Sequence, residues 1–136
     1  MVKTLIRHTP VWIKNHTWRI WIVIKVEAFI REEKLEDVKE ALNKIEVTGL
    51  TVFQVMGCGV QKGYTELVRG QKVDFYLQPK VKFEIVVSTE EWERKTIKAI
   101  QESAFTGNVG DGKIISYDLR SVMRIRTQET GTAAIN

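Results

Sequence analysis

Two stretches of the chain alternate in the same way, and that repeat constrains the fold more than any other feature. Ile24, Val26, Ala28 and Ile30 alternate with Lys25 and Glu27, and Val81, Phe83, Ile85 and Val87 alternate with Lys82 and Glu84. Period-two patterning of this kind marks a strand with one buried face. Each stretch is followed by a helical pattern and then by another strand. Leu35, Val38, Leu42 and Ile45 recur at spacings of three, four and three, which places them on one helical face. Glu32 and Glu33 stand near the start of that helix, where its dipole favours acids, and Gly49 follows as a stop signal. Leu50 to Met56 is rich in β-branched and aromatic residues and predicts the second strand. Further on, Ser88 and Glu91 have capping-box spacing and open a helix to about Phe105, with Trp92, Ile97, Ile100 and Ala104 as its buried side. A fourth strand follows, where Ile115, Tyr117 and Leu119 alternate with Ser116 and Asp118. The order predicts an α+β, ferredoxin-like sandwich: a four-stranded antiparallel sheet, two helices on one face, and a long loop between strands two and three. That fold hosts many functions, so function has to be argued from the site.

The chain of 136 residues is long enough to bury one domain's core. Lys3, Arg7, Lys14, Arg19 and Lys25 all precede the first acid, Glu27. Removing those five from 21 basic residues leaves 16 against 17 acids, so the main body lacks the basic footprint of a nucleic-acid binder. A single cysteine, Cys58, and two isolated histidines, His8 and His16, supply neither an internal disulfide nor a zinc ligand set. A cytoplasmic location is the expectation. Residues 1–22 read as an atypical basic extension carrying Trp12, Trp18 and Trp21, expected to be an unstructured tail or the product of an upstream start codon. Its apolar run is too short for a membrane span, so any membrane association is expected to be indirect. Residues 23–136 are expected to form the working domain.

Three further features carry chemistry. The segment 57–80 is far longer than a turn between strands requires, and it holds Gly57, Gly59, Gly63, Gly70, Lys62, Arg69, Lys72 and Lys80. Glycines let backbone amides approach an anion, and cations neutralise it, although a solvated hairpin would have the same composition. Thr106 to Lys113 contains three glycines and a terminal lysine, a plausible phosphate cradle and equally a helix stop plus turn. It has neither P-loop spacing nor the strand-to-helix context of a dinucleotide fingerprint. Arg124 and Arg126, if extended, would point to one side as a fork for phosphate or carboxylate, while a surface pair is the plainer reading. No Ser-His-Asp or Cys-His set can be drawn, so no catalytic residue is expected.

Together and in this order, these features resemble the PII family of nitrogen regulatory proteins over residues 24 to 130. The resemblance rests on Thr48-Gly49-Leu50-Thr51-Val52, Gly57-Cys58-Gly59-Val60-Gln61-Lys62-Gly63, Pro79-Lys80-Val81, Thr106 to Lys113, and Arg124 to Thr127. It implies a sensor of nitrogen and carbon status rather than an enzyme. It also implies a homotrimer with ATP or ADP in clefts between subunits, 2-oxoglutarate bound beside Mg-ATP, and an output loop that regulates an ammonium channel or nitrogen-metabolism and nitrogenase regulatory proteins. By the same resemblance Gly57, Gly59 and Val60 would wall the nucleotide site, with Thr51 and Val86 near its base. Gly110, Asp111, Gly112 and Lys113 would hold phosphates, helped by Arg124 and Arg126. Gln61 would bind the Mg2+, Lys80 a carboxylate of 2-oxoglutarate with Lys62 and Gly63 nearby, and Arg69 would stand at the tip of the output loop.

Some positions depart from the family pattern. Val60 replaces a commonly basic residue, and Val73 stands where some bacterial relatives carry a uridylylated tyrosine. The extension before residue 23 has no family counterpart. The alternative expectation is an interaction module with degenerate ligand sites, anchored at a membrane by that extension; an enzyme, such as a small phosphatase, ranks third.

Overall fold

The computed structural model describes residues 22–58 and 77–135, together with the backbone of 66–68 and 71–73. Residues 1–21, which hold the basic Trp-rich segment, lie outside the described residues.

Strand β1 (Val23–Arg31) leads through a single 3-10 turn (Glu32–Lys34) into helix α1 (Leu35–Lys44) and strand β2 (Leu50–Gly57). Two short strands, β3 (Glu66–Val68) and β4 (Gln71–Val73), pair antiparallel within the long connection. Strand β5 (Gln78–Val87), helix α2 (Glu90–Ala104) and strand β6 (Lys113–Leu119) complete the second half. The main sheet has the order β2-β5-β1-β6 with every neighbouring pair antiparallel, the ferredoxin-like arrangement read from the alternation. Ile24 faces Val87, Val26 faces Ile85 and Ala28 faces Phe83, so the two repeated apolar sets lie side by side under the helices.

Those sets and the apolar stripes of α1 and α2 form the core. Val26, Ala28, Ile30, Val38, Leu42, Val81, Phe83, Ile85 and Ile100 are buried, with Ile22, Leu35, Trp92, Ile97 and Ile114 packed around them. Each fully buried Leu, Ile or Phe contributes roughly 2 kcal/mol relative to leaving it in water. One polar group breaks the pattern. The hydroxyl of Thr96 on α2 is fully buried and has no hydrogen-bond partner among the described residues. An unsatisfied buried hydroxyl costs about 1 to 3 kcal/mol. Thr96→Val, nearly the same shape without the hydroxyl, is therefore expected to raise stability by about 1 kcal/mol. Urea denaturation measures this, and an unchanged or lower midpoint would show that the hydroxyl is satisfied in solution.

Several local details differ from the sequence reading. Helix α1 ends at Ile45 in a six-residue Schellman closure: Val47 N donates to Leu42 O at 3.0 Å and Glu46 N to Asn43 O at 2.9 Å. The left-handed residue there is Glu46, with φ 64°, and not Gly49. Helix α2 is capped by Thr89, whose Oγ1 accepts from Trp92 N at 3.2 Å, so the cap sits one residue beyond Ser88. In β6 the alternation is real, but its apolar set faces away from the helices. Ile114 packs on the core, whereas Ile115 and Tyr117 are each 42% exposed on the open side of the sheet.

Among the described residues, that open side carries no helix. At its centre Lys25 pairs with Glu84 (2.8 Å) and Glu27 (3.3 Å), and Lys82 pairs with Glu84 (2.7 Å). Tyr117 donates its hydroxyl to Glu27 at 2.8 Å. Phe53, 44% exposed, and Ile115 flank these charges. A sheet face of this mixed character, neutralised internally and rimmed by apolar side chains, is suited to burial against further protein.

Candidate functional site

The best-defined constellation lies at one end of the sheet, where β1 ends, β5 begins and β6 begins. Antiparallel register sets Arg31, the last residue of β1, directly beside Lys80 of β5. Lys80 in turn pairs with Val55 of β2, and Gly57 lies one repeat farther along that strand. A Cβ on Gly57 would stand 3.3 Å from Lys80 Cγ, so the bare backbone there leaves room for the lysine stem.

Against this end lies the loop from Thr106 to Gly112, the return from α2 to β6. Its shape is set by one carboxylate. Asp111 accepts hydrogen bonds from Thr106 N (2.8 Å), from Gly107 N (2.9 Å) and from the Thr106 hydroxyl. It also pairs with Arg31 Nε at 3.0 Å. The Thr106 hydroxyl bond, then the amide and guanidinium bonds, hold the Asp111 carboxyl well below the usual carboxylate range. Gly107, Gly110 and Gly112 adopt positive φ values of 83°, 100° and 103°. At Gly112 the close approach is extreme, since a Cβ would lie 1.7 Å from the carbonyl oxygen of Phe29. Gly112 is therefore a geometric requirement of docking this loop on β1, while Gly107 and Gly110 supply left-handed backbone for its turns.

Two cations hold the loop from the sheet side. Arg31 donates from a terminal nitrogen to Val109 O at 2.6 Å, in addition to its bond with Asp111. Lys80 Nζ donates to Gly110 O. Its ammonium is half-buried, and burial, followed by the neighbouring Arg31 charge, pulls its pKa below that of an ordinary lysine. A depressed lysine held on a carbonyl beside a second cation is a site where an anion gains from binding.

Of the residues expected at the site, the structure thus brings together Gly57, Lys80, Gly110, Asp111, Gly112 and Lys113, the first residue of β6. Asp111 acts here as the internal brace of the loop. Thr51 and Val86 lie elsewhere. They occupy the opposite ends of the same strands that carry Gly57 and Lys80, six residues away in each case. At ~3.3 Å per strand residue that is roughly 20 Å. Val86 there lines a cleft of about 290 Å3 with Glu46, Thr48, Gly49, Trp92 and Ile135.

Arg124 and Arg126 do not form the extended fork considered from the sequence. Ile125 to Thr127 make a turn closed by Gln128 N on Arg124 O at 2.8 Å. Arg124 is braced on Glu129 at 3.0 Å. The turn arises because Gln128 takes a positive φ of 60°, which lets the chain return so that Met123 pairs with Thr130. Gly59, Val60, Gln61, Lys62, Gly63 and Arg69 lie outside the described residues.

Arg31 was not singled out from sequence. Its only signal is register: the alternation puts it on the same side as Lys25 and Glu27, but its place beside Lys80 depends on pairing between distant strands. Among the described residues there is no cluster of histidine, cysteine and acidic side chains that could hold a metal, and no helix long and apolar enough to cross a membrane.

Comparison with known proteins adds an independent line. The family model described as "Nitrogen regulatory protein P-II" matches residues 23–129. The nitrogen regulatory protein P-II of Pasteurella multocida is 50% identical over 111 residues, covering 82% of this chain and 98% of that protein. The nitrogen regulatory protein P-II 1 of Methanothermobacter thermautotrophicus is 52% identical over 111 residues, covering 82% of this chain and 96% of that protein. Among solved structures, a B. subtilis GlnK–ATP complex superposes with a TM-score of 0.69 at 34% identity, covering 83% of this chain and 95% of that one.

Proposed function

Because the chain belongs to the nitrogen regulatory protein P-II family, whose members are signalling regulators and not enzymes, we propose that it senses ATP or ADP together with 2-oxoglutarate. The Gly110–Lys113 turn takes the phosphates, Lys80 takes a carboxylate of 2-oxoglutarate, and Gln61 completes the coordination of a Mg2+ bound with ATP. The observation that carries this reading is the convergence of Lys80 and Arg31 on the carbonyls of a glycine loop whose docking leaves no room for a side chain at Gly112. The GlnK–ATP complex supports the nucleotide.

The fold also supports a shared site. Within one chain the residues assigned to the nucleotide fall into two groups at opposite ends of the sheet, Thr51 and Val86 at one and Gly57 and Gly110 to Lys113 at the other. A separation of roughly 20 Å exceeds what side chains at both ends could close around one nucleotide. Copies packed through the open sheet face would bring one group from each of two neighbours to a common cleft. A homotrimer is the closed arrangement proposed, its partners being an ammonium channel or nitrogen-metabolism proteins engaged by the loop that carries Arg69, in the cytoplasm.

Calorimetric titration tests the reading. 2-Oxoglutarate is expected to give heat only when Mg-ATP is present, on a sample whose light-scattering mass is three chains. Failure of ATP itself to bind would leave the family fold without its ligand site.

A further inference from the structure

Beyond Ile114 the helix side of the edge strand is uncovered. Ile114, Ser116 and Asp118 of β6 share that side, opposite Ala28, Val26 and Ile24 of β1. Ile114 packs on the core, whereas Ser116 and Asp118 stay exposed. There a groove of about 570 Å3 opens between the end of β6 and the start of α2, lined by Ile22 and Ile24 together with Glu90, Glu93 and Asp118. The dipole of α2 accounts for acids in its first turn, Glu90 and Glu93 among them. It does not account for Asp118, an acid on the core-side register of a strand, where aspartate is disfavoured. Among the described residues neither Glu93 nor Asp118 has an ion-pair partner, while the neighbouring Glu91 is held by Lys95 at 2.8 Å.

The groove is continuous with the chain that precedes it. Ile22 is part of its wall, and the residues directly before are Trp18-Arg19-Ile20-Trp21. The alternation of β1, continued backwards, puts Ile20 and Trp18 on the side of Ile22 and Ile24. Four residues span up to ~14 Å, so Trp18 is within reach. Residues 1–21 carry four cations, Lys3, Arg7, Lys14 and Arg19, and no acid. The family match begins only at residue 23, after this segment.

We propose that residues 14–21 dock in the groove between α2 and β6 of their own chain, with Ile20 and Trp18 on its apolar floor and Lys14 and Arg19 paired with Glu93 and Asp118. The basic aromatic segment is then a strap across the helix side of the domain, and neither a loose tail nor a membrane anchor. A tryptophan ring supplies the apolar area that holds it, and the cations neutralise a rim that otherwise stays acidic. The groove lies at the far ends of β1 and β6 from Arg31 and Lys113, so this proposal is independent of the ligand reading.

The test exposes the full-length protein to chymotrypsin and follows cleavage after Trp18 by mass spectrometry. Two tails, the natural one and Lys14→Glu/Arg19→Glu, are each measured on two grooves, the natural one and the reversed one, Glu93→Lys/Asp118→Lys. Each tail is thereby compared with itself. The natural tail is expected to be cut at least about tenfold faster on the reversed groove, because proteolysis follows the population of the undocked state. The acidic tail is expected to be cut more slowly on the reversed groove than on the natural one, by about threefold or more, an inversion that direct pairing produces. Glu93→Gln/Asp118→Asn, which removes the charges without reversing them, carries the first comparison if the lysine pair does not fold, with an expected acceleration of about threefold. Equal rates on both grooves, or faster cutting of both tails on the reversed groove, overturn the proposal. So does a natural tail that resists cutting only once vesicles containing phosphatidylserine are added, which would make a membrane surface the occupant.

Discussion

Gly112→Ala is expected to be the most damaging single substitution in the described part of the chain. The position combines a φ of 103° with a Cβ site 1.7 Å from Phe29 O, a backbone atom that cannot swing aside. A non-glycine residue held in such a conformation costs of order 1 to 3 kcal/mol before any contact is considered. Relief of the clash requires the loop to lift from β1, which would break the pairing of Phe29 with Lys113 at the start of β6. A total loss of about 4 kcal/mol or more follows, with a fall in Tm of roughly 10 °C or more. ATP binding should be lost with the docking of the loop. Gly49→Ala is the control. It has ordinary φ and nothing within 4 Å of its Cβ site, so its stability should stay within about 0.5 kcal/mol of the parent. Thermal unfolding of the two variants checks the contrast, and equal behaviour would mean that the loop is not docked as described.

Lys80→Gln is expected to have the largest effect on the second ligand. The amide can still donate to Gly110 O, so the loop should keep its shape and ATP alone should bind within about threefold of the parent. The charge is gone, however. Removing one partner of a desolvated charge pair costs on the order of 2 to 5 kcal/mol, so the affinity for 2-oxoglutarate should fall by about a hundredfold. The pH dependence carries the same signature. Burial, and then Arg31, lower the Lys80 pKa from 10.5 in the folded protein. Below the folded pKa the lysine is charged in both states, and burial of that charge is a constant penalty. As pH rises from the folded pKa to 10.5, only the unfolded chain binds the extra proton, so this group makes stability increase across that window. On the proposed reading, carboxylate binding should run the opposite way and weaken as pH passes the depressed value, earlier than an ordinary lysine would allow. Titrations at stepwise alkaline pH should show that decline in the parent protein and not in Lys80→Gln. A parallel decline in both would assign the effect to another group.

The architecture was legible because the alternation of Val26 and Ala28 with Lys25 and Glu27, repeated at Val81 to Val87, leaves one way to bury two strands and two helical stripes. The glycines at 107, 110 and 112 were legible as a tight turn after α2 because few other residues adopt such backbones. Other features depend on information that periodicity does not contain. Arg31 and Lys80 are 49 positions apart and meet only through register. The ending of α1 at Glu46 uses a left-handed residue that sequence statistics would assign to glycine. Ile115 and Tyr117 face outward because β6 is an edge strand whose inner face needs only Ile114 to close the core. The turn at Arg124 to Thr127 came from local hydrogen bonds that outweighed the extended conformation its alternation allowed.

The proposed division of the nucleotide residues between the two ends of the sheet has a consequence for mixtures of chains. On that reading a variant damaged at Lys113 and another damaged at Thr51 would each be defective alone, yet each would retain the half that the other lacks. In mixed assemblies some clefts would draw the sound half from each chain and recover full function. Complementation between two inactive alleles is the genetic form of a site that no single chain contains, and dilution, which separates the chains, would erase it.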